Sequence, residues 1–235
     1  MTKAKAAKIP SPSALNDSIE ACIKNGDRLL GDAMTLEFQE PQATRLMVSM
    51  IAQEEFAKAF LLVLVREGVV PWSPALLRAM NDHACKQLVA VLIEYLDPQW
   101  ESLDEIRGII AAEVALSGRF PPRVASAINI LRYEKIGRWE SNGWGWLDDP
   151  DYDRDVLAIA KGRRDKVKQD SVYVRIGQDG RVERTPFTTP QAVSDAEYEK
   201  AYQLQSFVER FAKDQSQSSI FYEKMRDALQ LVFQE

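Results

Sequence analysis

One stretch of the sequence is apolar around the whole circumference of a helix. Residues 45–65 read RLMVSMIAQEEFAKAFLLVLV, and after Arg45 at the start of this stretch its charged residues are Glu54, Glu55 and Lys58. A helix that is apolar on all sides is buried among other elements, so the segment predicts the central helix of a bundle. Charges on a central helix are costly unless they are paired or functional. The three residues therefore form either a buried structural pair or part of a functional site.

Long helices joined by short connections surround this segment, and such connections favour antiparallel neighbours in a bundle. Ser11 or Ser13 can cap the first helix. Pro41 stands where a proline at the first helical position would open the second helix. The predicted helices of this first half span residues 14–36, 41–66, 74–95, 102–116 and 122–139.

The second half of the chain is more mixed. Residues 139–153 predict an irregular loop rich in Trp and Asp, and a helix over residues 152–168 ends in the basic run KGRRDKVK. Apolar residues then alternate over residues 172–176, and Asp179-Gly180 is a turn signal, so we expect a two-stranded hairpin. Two final helices are predicted over residues 194–214 and 218–233.

These elements predict an all-α antiparallel helical bundle with a small β-hairpin excursion near residues 172–186. We expect residues 1–13 to form a flexible basic tail and residues 14–140 to form the bundle core. Residues 141–235 carry the Trp-rich loop, the basic helix, the hairpin and the C-terminal helices, which we expect to pack on the same domain.

Composition limits the classes of function that the chain can have. Its 235 residues carry a net charge of −5, which excludes a generically basic nucleic-acid coat but allows a local basic patch. Cys22 and Cys85 match no zinc or redox spacing and fit a reducing cytoplasm. The longest apolar run, residues 59–65, is too short to cross a bilayer. We therefore expect a cytoplasmic protein that does not contact membranes.

The histidine count is the most limiting number, because His83 is the single histidine of the chain. A ferritin-like di-iron bundle needs two Glu-x-x-His motifs, which one histidine cannot provide. The sequence has neither a phosphate-binding P-loop nor a G-x-S-x-G elbow. We accordingly expect no metal and no cofactor.

Two cations lie close to His83 in the sequence. Lys86 follows it by three residues and shares its helix face, whereas Arg78 precedes it by five. Arg78 and His83 are separated by about 140° around an ideal helix, so they share a face only if the helix is distorted between them. Without further context, His83 would be a surface or capping histidine.

The context is a set of short motifs. Arg78-Ala-Met-Asn-Asp-His83 fits the Arg-x4–6-His ribonuclease motif of the HEPN superfamily of helical-bundle proteins. An EExxK helix, Trp72 eleven residues before His83, and a following HxxK occur in that order, and KQDSVYVRIGQDGRVERTP follows the basic helix. Over residues 16–186 the chain resembles the AbiV family of abortive-infection proteins.

This resemblance implies a HEPN-type bundle that acts in antiviral defence as a metal-independent endoribonuclease. Arg78 and His83 would be catalytic, and the supporting site would comprise Glu54, Glu55, Lys58, Asn81, Asp82 and Lys86. HEPN ribonucleases generally work as dimers, so a homodimer would bring a second histidine to the RNA substrate, and a phage or regulatory protein is a further possible partner. We also expect Glu55 or Lys58 to reach Arg78, His83 or Lys86.

Three features leave alternatives open. Catalytic HEPN proteins commonly carry a polar residue after the motif arginine, and this chain has Ala79. The alternative is a non-catalytic HEPN-fold module that binds a partner protein or a nucleotide. The basic run is either an RNA-binding surface or a solvated helix face; its cations are Lys161, Arg163, Arg164, Lys166 and Lys168. The tryptophans of the loop, Trp139, Trp144 and Trp146, either stack on bases or pack within the protein.

Overall fold

Helices make up most of the part of the chain that the structure describes. The structure is a computed structural model, and it describes residues 9–96, 120–137, 151–186 and 188–213 together with 226, 229 and 230. The α-helices are α1 (Pro12–Thr35), α2 (Ala43–Arg66), α3 (Pro74–Asn81), α4 (His83–Leu96), α5 (Pro122–Asn129), α6 (Arg154–Ala160), α7 (Arg163–Asp170) and α8 (Gln191–Lys213). A π-helix (Ile130–Gly137) follows α5, and two strands, β1 (Arg175–Ile176) and β2 (Val182–Arg184), form the sheet. The expected helical bundle with a small hairpin is confirmed.

The apolar helix α2 lies at the centre of this bundle, as the sequence predicts. It packs against α1, α4 and α8. Its Phe60 is fully buried, and the ring lies 5.8 Å from that of Phe207 and 5.5 Å from that of Phe211, both on α8. Most of the apolar surface of α2 is thus covered within one chain, while Met47, Val48 and Ile51 remain partly exposed.

The first two helices begin close to their predicted positions. The Ser11 hydroxyl accepts a hydrogen bond from the Ala14 amide at 3.2 Å, so Ser11 is the cap and α1 starts at Pro12. α2 starts at Ala43, with Gln42 directly before it. Pro41 therefore precedes the helix, whereas the sequence predicted it at the first helical position.

Two helices that the sequence predicts as continuous are broken. At Asp82 the backbone is extended, with φ −87° and ψ 121°, and the segment predicted over residues 74–95 becomes α3 and α4. The Asp82 carboxylate accepts a hydrogen bond from the Cys85 amide at 3.1 Å, which caps α4. Gly162 has φ 80° and separates α6 from α7, because this left-handed conformation favours glycine and ends a helix. The helix expected over residues 122–139 is α-helical only to Asn129.

The predicted hairpin is present and is anchored to the end of α7. β1 and β2 are antiparallel, and Ile176 is paired with Val182. Asp170, the last residue of α7, is buried, and its two carboxylate oxygens lie 2.5 Å from Arg175 Nη2 and 2.6 Å from Arg184 Nη1. These ion pairs join one strand each to the helix, so the hairpin and α7 form one connected segment.

Some predicted elements lie outside the described residues. They are the helix over residues 102–116, the loop tryptophans Trp139, Trp144 and Trp146, and nearly all of the helix over residues 218–233. Within the described ranges, no helix is both long and apolar enough to cross a membrane.

Gly26 allows a close contact between α1 and α2, and this contact generates a prediction. A Cβ atom at Gly26 would lie 2.5 Å from Cε1 of Phe56, whose ring is fully buried. We expect Gly26→Ala to lower the free energy of unfolding by about 1–3 kcal/mol through overpacking. The measurement is urea denaturation followed by circular dichroism.

Gly31, on the same helix, provides a matched control. It is exposed, and beyond its own helix backbone and adjacent residues no atom of the described residues lies within 4 Å of the position that a Cβ would take. Gly31→Ala should raise the free energy of unfolding by up to about 1 kcal/mol through helix propensity. Equal effects of the two substitutions would contradict the proposed packing.

Candidate functional site

The single histidine lies where three helices meet. His83 is the first residue of α4, directly after the break at Asp82, and half of its side chain (50%) is exposed. Its ring contacts Glu54 of α2 and Lys168 of α7. The break in the predicted third helix therefore places the histidine at an edge of the bundle, next to the central helix.

Glu54 is the centre of the site. Its side chain is only 3% exposed, and Oε2 lies 2.6 Å from His83 Nδ1 and 3.0 Å from Lys86 Nζ. Its other oxygen, Oε1, accepts a hydrogen bond from Lys168 Nζ at 2.8 Å. Both lysines are themselves buried, so one carboxylate is shared by two ammonium groups and an imidazole. Such sharing is what allows charges to remain inside a helical bundle.

These neighbours keep Glu54 ionised. Burial by itself raises the pKa of the Glu54 carboxyl, but hydrogen bonding and charge attraction from Lys168 and Lys86 outweigh it, and the net pKa lies below its ordinary value of 4.5. Glu54 is therefore a carboxylate at neutral pH, and its oxygens act only as acceptors.

The site offers ligand atoms of the kind that bind metals, but the ammonium group of Lys168 lies among these atoms. Glu54, His83 and Asp165 have ligand atoms within 4.8 Å of one another. Lys168 Nζ lies 2.8 Å from the Glu54 atom, 3.0 Å from Asp165 Oδ1 and 3.1 Å from His83 Nδ1. A cation bound among these three groups would have to displace a buried ammonium group, so the donor set does not fit a metal.

Arg78 lies on the other side of the helix break. It is exposed on α3, and within the described residues it makes no hydrogen bond or ion pair with His83. It lines an open groove of about 450 Å³ together with Leu77, Asn81 and Asp82. Asn81 donates to the Leu77 carbonyl at 2.9 Å, and Asp82 lies 3.6 Å from Lys135 Nζ. The arginine is thus accessible to a ligand in this groove.

The EExxK motif is divided between two environments. Lys58 Nζ lies 2.6 Å from Glu55 Oε1, and these two half-buried groups pair with each other on α2. The described contacts of Glu55 and Lys58 do not include Arg78, His83 or Lys86, contrary to our expectation. It is Glu54 that reaches His83 and Lys86, so the first glutamate of the motif belongs to the site.

The cations of the basic run are also divided between two environments. One of them, Lys168, belongs to the site, whereas the sequence suggested that it lies on the surface. Lys168 is buried against Glu54, and Arg164 donates to Glu197 Oε2 at 2.5 Å, so neither cation belongs to an outer surface. Lys161, Arg163 and Lys166 are exposed. The spacing of four residues between Arg164 and Lys168 places them on one helix face, and this was the available sequence signal.

The buried Glu54 pairings predict a large loss of stability on substitution. Glu54→Gln leaves the buried ammonium group of Lys86 without a carboxylate partner among the described residues and leaves Lys168 with Asp165 alone, and we expect the free energy of unfolding at neutral pH to fall by about 3–5 kcal/mol. Glu55→Gln, the matched control, removes a more exposed pair and should cost less than about 1 kcal/mol. Urea denaturation of the three proteins measures both changes.

The same experiment repeated at lower pH tests the charge. Because the pKa of Glu54 is lowered by folding, its contribution is fully present above its ordinary value of 4.5 and is lost as the pH falls through the value in the folded protein. The difference in the free energy of unfolding between wild type and Glu54→Gln should therefore become smaller at acidic pH. A difference that is constant with pH would show that the charge is not the cause.

Comparison with known proteins supports the fold. Searches of curated proteins and of solved structures find no match. A family model, HEPN_AbiV, described as AbiV, matches residues 14–208, which includes every site residue discussed above. The chain belongs to the AbiV family of HEPN-domain proteins.

Proposed function

We propose that this protein is a metal-independent endoribonuclease of antiviral defence, in which His83 transfers protons and Arg78 binds phosphate. One observation carries the proposal: the single histidine is half exposed while a buried, ionised carboxylate holds its inner nitrogen. A histidine held in this way has one nitrogen fixed by the protein and the other available for proton transfer. The family match is consistent with this role.

The chemistry needs no metal. The 2′-hydroxyl of a ribose loses its proton to a base and attacks the adjacent phosphorus, while the bond from phosphorus to the 5′-oxygen breaks. An acid gives a proton to that 5′-oxygen, and the products are a 2′,3′-cyclic phosphate and a 5′-hydroxyl. The crowded phosphorane between them carries negative charge, which nearby cations stabilise.

A single histidine cannot be base and acid in the same step. We therefore propose that two chains pair about a two-fold axis, so that two copies of His83 face one RNA strand. His83 and Arg78 are both exposed on the side of the bundle where α3 meets α4, which leaves them accessible to a second copy.

Arg78 is suited to bind the phosphate. Its guanidinium has no hydrogen bond or ion pair to other described residues, so no existing interaction would have to break. A guanidinium can donate two parallel hydrogen bonds to phosphate oxygens. Ala79 does not weaken this role: its side chain is fully buried, and the polar residues at the groove are Asn81 and Asp82.

The exposed cations of the basic run extend the proposed RNA surface. Lys168 joins α7 to His83, and Arg163 and Lys166 are exposed on the same eight-residue helix, with Lys161 just before it. We propose that an RNA strand bound at His83 continues around α7 to these three side chains. They would bind its backbone without reading sequence.

The first functional prediction concerns the two motif residues. We expect His83→Ala to lower the rate of RNA cleavage by about 10²–10⁴-fold, because it removes the group that transfers protons. Arg78→Ala should lower the rate of RNA cleavage by a similar factor, because it removes a positive charge that stabilises the phosphorane. The assay is cleavage of a labelled RNA with mapping of the 2′,3′-cyclic phosphate, and EDTA should leave the wild-type rate unchanged.

Arg28→Ala, on α1, is the control because, among the described residues, Arg28 pairs with just the neighbouring side chains Asn25 and Asp32. Light scattering should give twice the chain mass of 26.6 kDa for wild type and for His83→Ala alike. A monomer at micromolar concentration would contradict the two-fold arrangement. Undiminished cleavage and antiviral protection by His83→Ala would overturn the ribonuclease proposal and favour a binding module.

The second functional prediction concerns the exposed cations. Replacing Lys161, Arg163 and Lys166 together by Gln should weaken binding of a 2′-O-methyl RNA, which cannot be cleaved. Each single-strand phosphate contact contributes about 0.7 to the slope of log K against log salt, so the slope should decrease by about 2. Lys24→Gln, on α1, is the control. An unchanged slope in the triple variant would show that these cations are an ordinary solvated face.

A further inference from the structure

We propose that Glu54 is a positioning residue that fixes the tautomer of His83, with the proton on Nδ1 and the lone pair on Nε2, and that Lys168 holds Glu54 in place for this task. The inference rests on the proposed function, because it assigns the reacting nitrogen of the same histidine. It also assigns Lys168 to the site, although its place in a basic run suggests a surface cation.

The first step of the argument is the contact between His83 and Glu54. Nδ1 and Oε2 lie 2.6 Å apart, which requires a hydrogen between them. Glu54 is ionised and has no proton to donate. The hydrogen therefore belongs to Nδ1. With the proton on Nε2 instead, two lone pairs would face each other at 2.6 Å.

The second step is the contact with Lys168. Its Nζ lies 3.1 Å from the same Nδ1, and an ammonium group has only hydrogens to offer. Nδ1 cannot accept one of them while its own hydrogen points to Glu54. Lys168 therefore donates to Glu54 Oε1 at 2.8 Å, and its Nζ forms an ion pair with Asp165 Oδ1 at 3.0 Å. Lys168 acts on the histidine through Glu54.

The third step is the balance of charge around the ring. Among the described residues, the charged groups around the ring and its carboxylate are Glu54 from α2, Lys86 from α4, and Lys168 and Asp165 from α7. Two carboxylates and two ammonium groups cancel while the ring is neutral. When Nε2 accepts a proton during the reaction, the new positive charge is on a ring already hydrogen-bonded to a carboxylate, as in other histidines oriented by an acidic group.

The consequence is that Nε2 is the nitrogen that takes the proton from the 2′-hydroxyl or returns one to the 5′-oxygen. Glu54 does not touch the RNA in this arrangement. Its loss should reduce the rate of the chemical step and leave RNA binding nearly unchanged, because the exposed cations that bind the backbone are separate from it.

The experiment uses the full chain labelled with ¹⁵N-histidine. His83 is the only histidine, so a long-range ¹H–¹⁵N spectrum reports this ring alone. At a pH where the ring is neutral, we expect Nδ1 to show the shift of a protonated nitrogen and Nε2 that of an unprotonated one. A spectrum with the proton on Nε2 would overturn the inference, and no variant is needed to obtain it.

Variants then test the roles of Glu54 and Lys168. In Glu54→Gln the amide can donate as well as accept, so we expect the single tautomer to become a mixture. Lys168→Met keeps an unbranched side chain, one atom shorter, and removes its charge, and it should shift the tautomer ratio of His83 in the same direction. Lys166→Met is the matched control on α7. In this variant the tautomer of His83 should remain that of wild type, because Lys166 is exposed. Wild-type spectra from Glu54→Gln and Lys168→Met would overturn the positioning role.

If Glu54→Gln does not fold, the double variant Glu54→Gln with Lys168→Met removes one carboxylate and one ammonium group and so keeps the charges balanced. Its kcat for RNA cleavage should fall by about 100-fold or more, with KM changed little. A proportionate rise in KM with kcat unchanged would contradict positioning of the reacting nitrogen.

The two proposals fail in different ways. If the spectra show the expected tautomer but RNA is not cleaved, the ribonuclease proposal is overturned while the role of Glu54 in fixing the ring stands. If RNA is cleaved through His83 while the proton is on Nε2, the ribonuclease proposal stands and the positioning role is overturned.

Discussion

The buried carboxylate of Glu54 is the constraint on which the arrangement of the site depends. An isolated ion in a protein interior costs several kcal/mol even after relaxation, and a single partner rarely compensates fully. Here Lys86 of α4 and Lys168 of α7 contribute one ammonium group to each oxygen. The central helix, the histidine-bearing helix and the basic helix must therefore be in register with one another, since displacement of α7 would remove one of the two ammonium partners of Glu54 and leave Lys168 with Asp165 alone.

Much of this architecture could be predicted from local sequence, because the relevant signals are local. The apolar circumference of residues 45–65 indicated a central helix, and Asp179-Gly180 indicated the hairpin turn. The breaks at Asp82 and Gly162 are harder to predict: helical periodicity continues across both, and only the backbone shows that Asp82 caps a new helix and that Gly162 is left-handed.

The pairing of Glu54 with Lys168 could not be predicted, for a physical reason. The two residues are 114 positions apart, and a lysine in a basic run has the same local pattern whether it is solvated or buried. The sequence did indicate that the charged residues of α2 needed partners. It did not indicate which of Glu54, Glu55 and Lys58 would pair with which of the cations elsewhere in the chain. Glu55 and Lys58 satisfy each other one turn apart, which leaves Glu54 as the group that needs cations from elsewhere.

The break at Asp82 also changes the relation between Arg78 and His83. On a continuous helix the two would diverge by about 140°, but here each belongs to its own helix, on either side of one extended residue. His83 turns towards the carboxylate of α2, whereas Arg78 remains exposed at the groove. The short motif thus separates a histidine nitrogen that is held by buried charge from a guanidinium that pairs with none of the described residues. In the proposed reaction, a phosphate that enters the groove would meet Arg78 without disturbing the ion pairs that hold the ring.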